Sequence, residues 1–132
     1  MKKPFFAPLL LLICLSLVAF QCDEEGNMPT FEEEQTELNN LKSEIEALAN
    51  TSVCNETSEC KFIGLGSKPC GGPWSYLIYS TSIDTEQLEQ MVANYNQLEA
   101  EFNTRWGIVS DCAFASPPSS VNCENNTCIA VY

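Results

Sequence analysis

Ile83-Asp84-Thr85-Glu86-Gln87-Leu88-Glu89-Gln90-Met91-Val92-Ala93-Asn94-Tyr95-Asn96-Gln97-Leu98-Glu99-Ala100-Glu101-Phe102-Asn103-Thr104-Arg105-Trp106-Gly107 carries the clearest local signature in the chain. Asp84 followed by Gln87 fits a capping box, in which each residue's side chain satisfies a free backbone N–H of the other, and Ile83 stands where it staples onto Leu88. Leu88, Met91, Val92, Tyr95, Leu98 and Phe102 recur at the spacing of one helix face. Gly107 falls where a left-handed helix stop is expected. A stripe of this kind is core packing rather than a cofactor lining, so the helix is predicted to lie across a sheet.

Outward from this helix, Cys60-Lys61-Phe62-Ile63-Gly64-Leu65-Gly66 reads as a strand. Ser67 to Pro73, with Pro69, Gly71, Gly72 and Pro73, reads as a turn, and Trp74-Ser75-Tyr76-Leu77-Ile78-Tyr79-Ser80 as a second strand. The large residues of that second strand fall on both faces, which predicts a central, doubly covered position. Beyond the helix come Ile108 to Cys112, a loop with Pro117 and Pro118, and two short runs, Val121-Asn122-Cys123 and Cys128 to Tyr132, joined by a turn over Glu124, Asn125, Asn126 and Thr127. Cys54 and Cys60 enclose a polar loop before Phe62-Ile63, as Cys123 and Cys128 do before Ile129-Ala130-Val131. That echo reads either as two strand starts that neighbour each other in one sheet or as convergence between short segments. The expected fold of residues 53–132 is α+β: a small antiparallel sheet, one long packed helix, and disulfide staples.

An acidic helix precedes this domain. Thr30 and Glu33 form a capping box, and Phe31, Leu38, Leu41, Ile45 and Leu48 make one apolar stripe over residues 30–50. Glu32, Glu33 and Glu34 suit the positive end of its dipole. The stripe serves a helix packed on its own domain or used as a stalk, since too few heptads are present for a coiled coil.

Composition removes many functions. The chain has 132 residues, no histidine, eight cysteines and a formal charge of −12. Without histidine the usual general base, the Ser-His and Cys-His nucleophile pairs and the commonest metal ligand are missing. Six basic residues against 18 acidic ones cannot build a surface for nucleic acid.

Lys2 and Lys3 open the chain, followed by an apolar run from Phe5 to Phe20 that has the length of a secretory signal rather than of a membrane span. Residues 1–21 therefore read as a signal peptide and residues 22–29 as an acidic tether. Gln21 suits ordinary signal cleavage poorly. Ala19-Phe20-Gln21-Cys22 resembles instead the lipobox of bacterial lipoproteins, although Gln21 stands where that family prefers glycine, alanine or serine. The resemblance implies lipidation of Cys22, a membrane anchor and residence in the bacterial cell envelope, as a cell outer membrane lipoprotein. Asp23-Glu24-Glu25 resembles the acidic signal that sends some of these proteins to the cell surface.

Removal of Cys14 with the signal and lipidation of Cys22 leave Cys54, Cys60, Cys70, Cys112, Cys123 and Cys128. An even set in an exported chain reads as three disulfides. A zinc site is the rival reading, but it lacks both a CxxC pair and histidine. Sequence leaves the pairing open; the first to try is Cys70 with Cys112, which ties the turn before the second strand to the segment after the long helix.

The run Gly64-Leu65-Gly66-Ser67-Lys68-Pro69-Cys70-Gly71-Gly72-Pro73-Trp74-Ser75-Tyr76-Leu77, within Cys60 to Tyr79, together with Ser110-Asp111-Cys112, resembles small exported cysteine-rich bacterial proteins of unknown function. The resemblance carries no catalytic residue across.

Residue chemistry gives no enzyme. Ser67-Lys68 lies in an extended turn with no oxyanion-hole motif, Glu99 with Glu101 and Asp111 beside Cys112 read as solvated carboxylates, and Asp23-Glu24-Glu25 with Asn27 lacks the spacing of an EF-hand. Asn50-Thr51-Ser52, Asn55-Glu56-Thr57 and Asn125-Asn126-Thr127 match glycosylation sequons that a bacterial export signal would leave idle. The turn from Gly64 to Trp74 is the best contact site, with Cys70 as its brace and Lys68 and Trp74 as a charge and an aromatic for a partner. The expected function is a non-enzymatic, lipid-anchored interaction module that needs no cofactor and meets a protein or glycan at the cell envelope. The alternative is a secreted inhibitor of a protease or other hydrolase, with Lys68-Pro69 a poor bond for a trypsin-like enzyme.

Overall fold

The computed structural model describes residues 28–132. The expected signal peptide 1–21, the lipidation expected at Cys22 and most of the expected tether 22–29 lie outside the described residues.

Helix α1 spans Phe31–Asn50 and starts at the Thr30 box: the Glu33 amide donates to the Thr30 hydroxyl at 3.3 Å, and the Thr30 amide donates to Glu33 Oε2 at 2.8 Å. Those donated bonds from Thr30 hold the Glu33 carboxyl below its usual range. Helix α2 spans Thr85–Trp106. The Gln87 amide donates to Asp84 Oδ1 at 3.0 Å, which is the half of the expected box that forms among the described residues. Gly107 closes the helix at φ 61°, a left-handed conformation that favours glycine, and its N–H returns to the Asn103 carbonyl.

Helix α1 packs on α2 instead of projecting as a stalk. Leu38, Ile45 and Ala49 are buried on one side, and Leu88, Val92, Tyr95 and Phe102 on the other. Phe31 meets Phe102 and Trp106 with ring centroids 5.1 and 5.5 Å apart, so the start of α1 lies beside the end of α2. The Glu34 carboxylate joins the same ends, accepting from Arg105 Nη1 and from Trp106 Nε1, the latter at 2.7 Å.

Strands β1 (Cys60–Leu65) and β2 (Ser75–Ser80) pair antiparallel with Ile63 opposite Leu77. Strands β3 (Ser120–Glu124) and β4 (Thr127–Val131) pair antiparallel with Cys123 opposite Cys128. The architecture is α+β, but its strands form two separate two-stranded sheets. Among the described residues strand β2 pairs only with β1 and so is not central in hydrogen bonding. Its apolar residues on both faces have another cause. Ile63, Leu65, Leu77 and Tyr79 join the cluster with the helices, while β4 packs beside β2 without pairing.

The cysteine echo is likewise realised by cross-linking rather than by strand pairing. Cys54 bonds Cys123 and Cys60 bonds Cys128, and the third pair is Cys70 with Cys112.

Two buried phenols carry a consequence for pH. Burial pushes the Tyr79 hydroxyl up to about 12, helped by the bond it donates to Glu89 Oε1 at 2.8 Å and by the charge of that carboxylate. Burial also raises Tyr95, with the charge of Glu99, the bond donated to its Oε1 and the charge of Glu46 adding to the effect. Both groups have folded values above the unfolded value of about 10. Their contribution is therefore complete below pH ~10 and lost as the pH rises through the folded values. The urea midpoint is expected to fall steadily between pH ~10 and ~12, in step with phenolate absorbance. Tyr79→Phe, which cannot ionise, should flatten part of that fall.

Candidate interaction site

The turn between β1 and β2 is fastened from below by α2. Asn96 Oδ1 accepts from the Gly66 amide at 2.6 Å while its Nδ2 donates to the Gly64 carbonyl at 3.0 Å. Glu99 Oε2 accepts from the Ser67 amide, and Asn103 Nδ2 donates to the Ser67 carbonyl at 2.7 Å. These three side chains recur at helical spacing beside the apolar stripe, so α2 presents a polar ladder to the turn as well as an apolar face to the core. Sequence reasoning missed the ladder and took Glu99 for a solvated carboxylate. Its signal was the i, i+3, i+7 spacing of Asn96, Glu99 and Asn103, which is as regular as the apolar one.

Above the ladder, Gly66 has φ 88°, and a Cβ there would stand 2.5 Å from Trp74 Cδ1 and 2.9 Å from Glu99 Oε2. The bare α-carbon is thus the seat of the indole. The Trp74 amide donates to the Leu65 carbonyl at 3.1 Å, closing the mouth of the turn. The disulfide from Cys70 to Cys112 ties its tip to the segment after α2.

Lys68 is not a free charge. Its side chain is only 9% exposed, its ammonium lies 4.9 Å from the Trp74 ring centroid and 3.6 Å from Asp111 Oδ1, and it donates to the Ala113 carbonyl. It works as an internal clip, holding the turn to residues 111–113 and supporting one face of Trp74. Trp74 stays 41% exposed, and Val109 and Phe114, on either side of Cys112, are open at 87% and 78%. The exposed apolar side chains around the disulfide are thus Trp74, Val109 and Phe114, of which sequence reasoning named only the first.

The remaining candidate chemistry disperses. An ammonium engaged by a carbonyl and a carboxylate is not a base aimed at Ser67. Glu99 faces the turn and Tyr95, whereas Glu101 takes a bond from Gln97 Nε2 at 2.9 Å, so the two carboxylates do not act as a pair. The groove between α1 and α2, lined by Leu38, Leu98, Phe102 and the acidic Glu34, Glu37 and Glu101, holds about 70 Å³. Small-molecule sites usually hold about 300 Å³ or more.

Asn96→Ala strands the Gly66 amide and the Gly64 carbonyl under the turn. Urea unfolding is expected to show a loss of about 1 to 3 kcal/mol, and an unchanged midpoint would show that water replaces both bonds. Gly66→Ala should shift the tryptophan emission, because the new methyl takes the place of the indole edge. No family model matches the chain, and no match is found among the curated proteins or among the solved structures.

Proposed function

We propose that the chain is an exported, non-enzymatic interaction module, carried at the bacterial cell envelope by a lipid on Cys22. It meets a protein or glycan partner through the rim formed by Trp74, Val109 and Phe114. The observation that carries this reading is the exposure of Trp74 at the mouth of a turn held by the α2 ladder, the Lys68 clip and the Cys70 to Cys112 bond, with Phe114 exposed two residues beyond Cys112. Apolar side chains ordered before binding lose little further freedom on contact, and aromatic anchors of this kind dominate interface energies. Lys68 acts in this reading as the support of Trp74. An inhibitor that works by offering Lys68 is disfavoured in this reading, because a side chain held against Ala113 and Asp111 is not presented to a protease pocket. Three disulfides suit an oxidising compartment.

Two measurements test the reading. Mass spectrometry of the mature N-terminus is expected to find a diacylglyceryl group on Cys22; a terminus elsewhere, or an unmodified one, removes the anchor. Trp74→Ala and Phe114→Ser are each expected to weaken capture of an envelope protein or an arrayed glycan by about tenfold or more, with circular dichroism unchanged. Equal capture by both variants would take the site away from this rim. With a net charge of −12, association with a cationic partner should also weaken as salt rises.

A further inference from the structure

The three disulfides differ in their access to solvent. Cys54 is 1% exposed and Cys60 and Cys128 are half-buried, so the bonds from Cys54 to Cys123 and from Cys60 to Cys128 are shielded at one end or at both. Cys70 and Cys112 are both exposed, as are Gly71 and Gly72 after the first and Asp111, Ala113 and Phe114 around the second. A side chain added at Gly71 or Gly72 would meet nothing within 4 Å, so the approach to this bond is open.

The backbone singles out the same bond. Cys112 has φ 52°, a left-handed conformation that a residue with a Cβ seldom takes, and it is alone in this among the bonded cysteines. A cross-link at such a residue is held against the local preference of the chain, and its opening lets the segment relax. Exposed and strained disulfides are the ones that exchange most readily with external thiols. Ser110 then distinguishes the two sulfurs. Its hydroxyl donates to Cys70 Sγ at 3.6 Å, while its carbonyl oxygen lies 3.8 Å from Cys112 Sγ. A hydroxyl donor stabilises a thiolate and a carbonyl oxygen opposes one, so Cys70 is the better leaving sulfur. The Asp111 carboxylate beside Cys112 is engaged by the Lys68 ammonium at 3.6 Å, which weakens its repulsion of an incoming anion.

We infer that the bond between Cys70 and Cys112 is a thiol-exchange site, open to an external dithiol that attacks at Cys112 and releases Cys70. The incoming thiolate forms a bond to Cys112 Sγ as the bond between the two cysteines breaks, and the electron pair of the broken bond leaves on Cys70. The second thiolate of the dithiol then attacks its own first sulfur and displaces Cys112. The dithiol departs as a disulfide, oxidised by two electrons, and its two protons end on Cys70 and Cys112. Asn96, Glu99 and Asn103 still fasten the turn from below, and the other two disulfides stay closed. Exchange therefore unties the tip of the turn from residues 110–114 without unfolding the domain. It goes beyond the proposed contact surface and does not depend on it, since the chemistry requires only the two sulfurs and Ser110.

The test uses the oxidised full chain, its free thiols first blocked with one alkylating reagent. A limiting amount of dithiothreitol is added, and the thiols it releases are labelled with a second reagent and located by peptide mass spectrometry. Label is expected at Cys70 and Cys112 about tenfold or more ahead of Cys54, Cys60, Cys123 and Cys128, with circular dichroism unchanged. Equal or earlier labelling of any of those four overturns the inference. So does a preference that persists in urea, because the contrast between the bonds is made by the fold. A brief pulse of a monothiol reads the direction: its adduct is expected on Cys112 with the label on Cys70, and an adduct on Cys70, or shared equally, overturns the assignment of the leaving sulfur. Ser110→Ala, which keeps the carbonyl and removes the hydroxyl, should slow the release of Cys70 by about threefold or more; an unchanged rate in a folded variant overturns the role of that hydroxyl.

Discussion

Among the described residues, the β3–β4 hairpin contributes no side chain to the buried cluster, whose members run from Leu38 to Phe102. What joins this hairpin covalently to the rest is the pair of bonds from Cys54 to Cys123 and from Cys60 to Cys128, alongside one backbone bond from Cys54 to Asn126 and the packing of β3 and β4 beside β1 and β2. The first bond to form closes a loop of 69 residues, worth about 4 kcal/mol in the chain-entropy account. The second then closes only a ring of about a dozen residues through the two short turns and adds about 3 kcal/mol. Contributions of that size substitute for an apolar interface that the sequence of β3 and β4 does not supply. Ile129 and Val131, the largest aliphatic residues of β4, remain exposed.

The apolar core itself is a seam between two helices with one hairpin laid on it. Leu88 and Val92 are fully buried at its centre, where each aliphatic side chain contributes about 1.5 to 3 kcal/mol. The helices run antiparallel, and Glu34 bonds both Arg105 and Trp106 where the end of α2 meets the start of α1. In a chain so rich in carboxylates, that arrangement gives one of them a cation and an indole donor beside an aromatic cluster. An exposed arginine makes the ion pair itself worth little, so Phe31, Phe102 and Trp106 carry most of the contact.

The exposure of Trp74 follows from how the turn is held. Beyond Leu65, which enters the core, the turn from Gly64 to Trp74 is held by hydrogen bonds from one helix and by a disulfide to the segment that follows that helix. This fixes the backbone while leaving large side chains outside. Trp74 rests on Gly66 and Lys68 instead of entering the core, so it is an ordered and yet accessible aromatic.

Local signals in the sequence determined the two helices, their caps at Thr30, Asp84 and Gly107, the apolar stripes, and an even set of six cysteines in an α+β domain. These depend on neighbours within a few turns of chain, where periodicity and capping chemistry operate. The splitting of the strands into two sheets, the partners of Cys54 and Cys60, and the packing of α1 against α2 were decided by contacts between distant segments. The roles of Lys68, Asn96, Glu99 and Asn103 were settled in the same way. Side-chain alternation in Trp74 to Ser80 reads alike whether its cover comes from strands or from helices, so residue type could not reveal what lay on each face. A lysine in a glycine-rich turn reads as a free charge until the fold brings the Ala113 carbonyl and the Asp111 carboxylate to it. Which donor meets which acceptor across 45 residues of chain is fixed by the tertiary path alone.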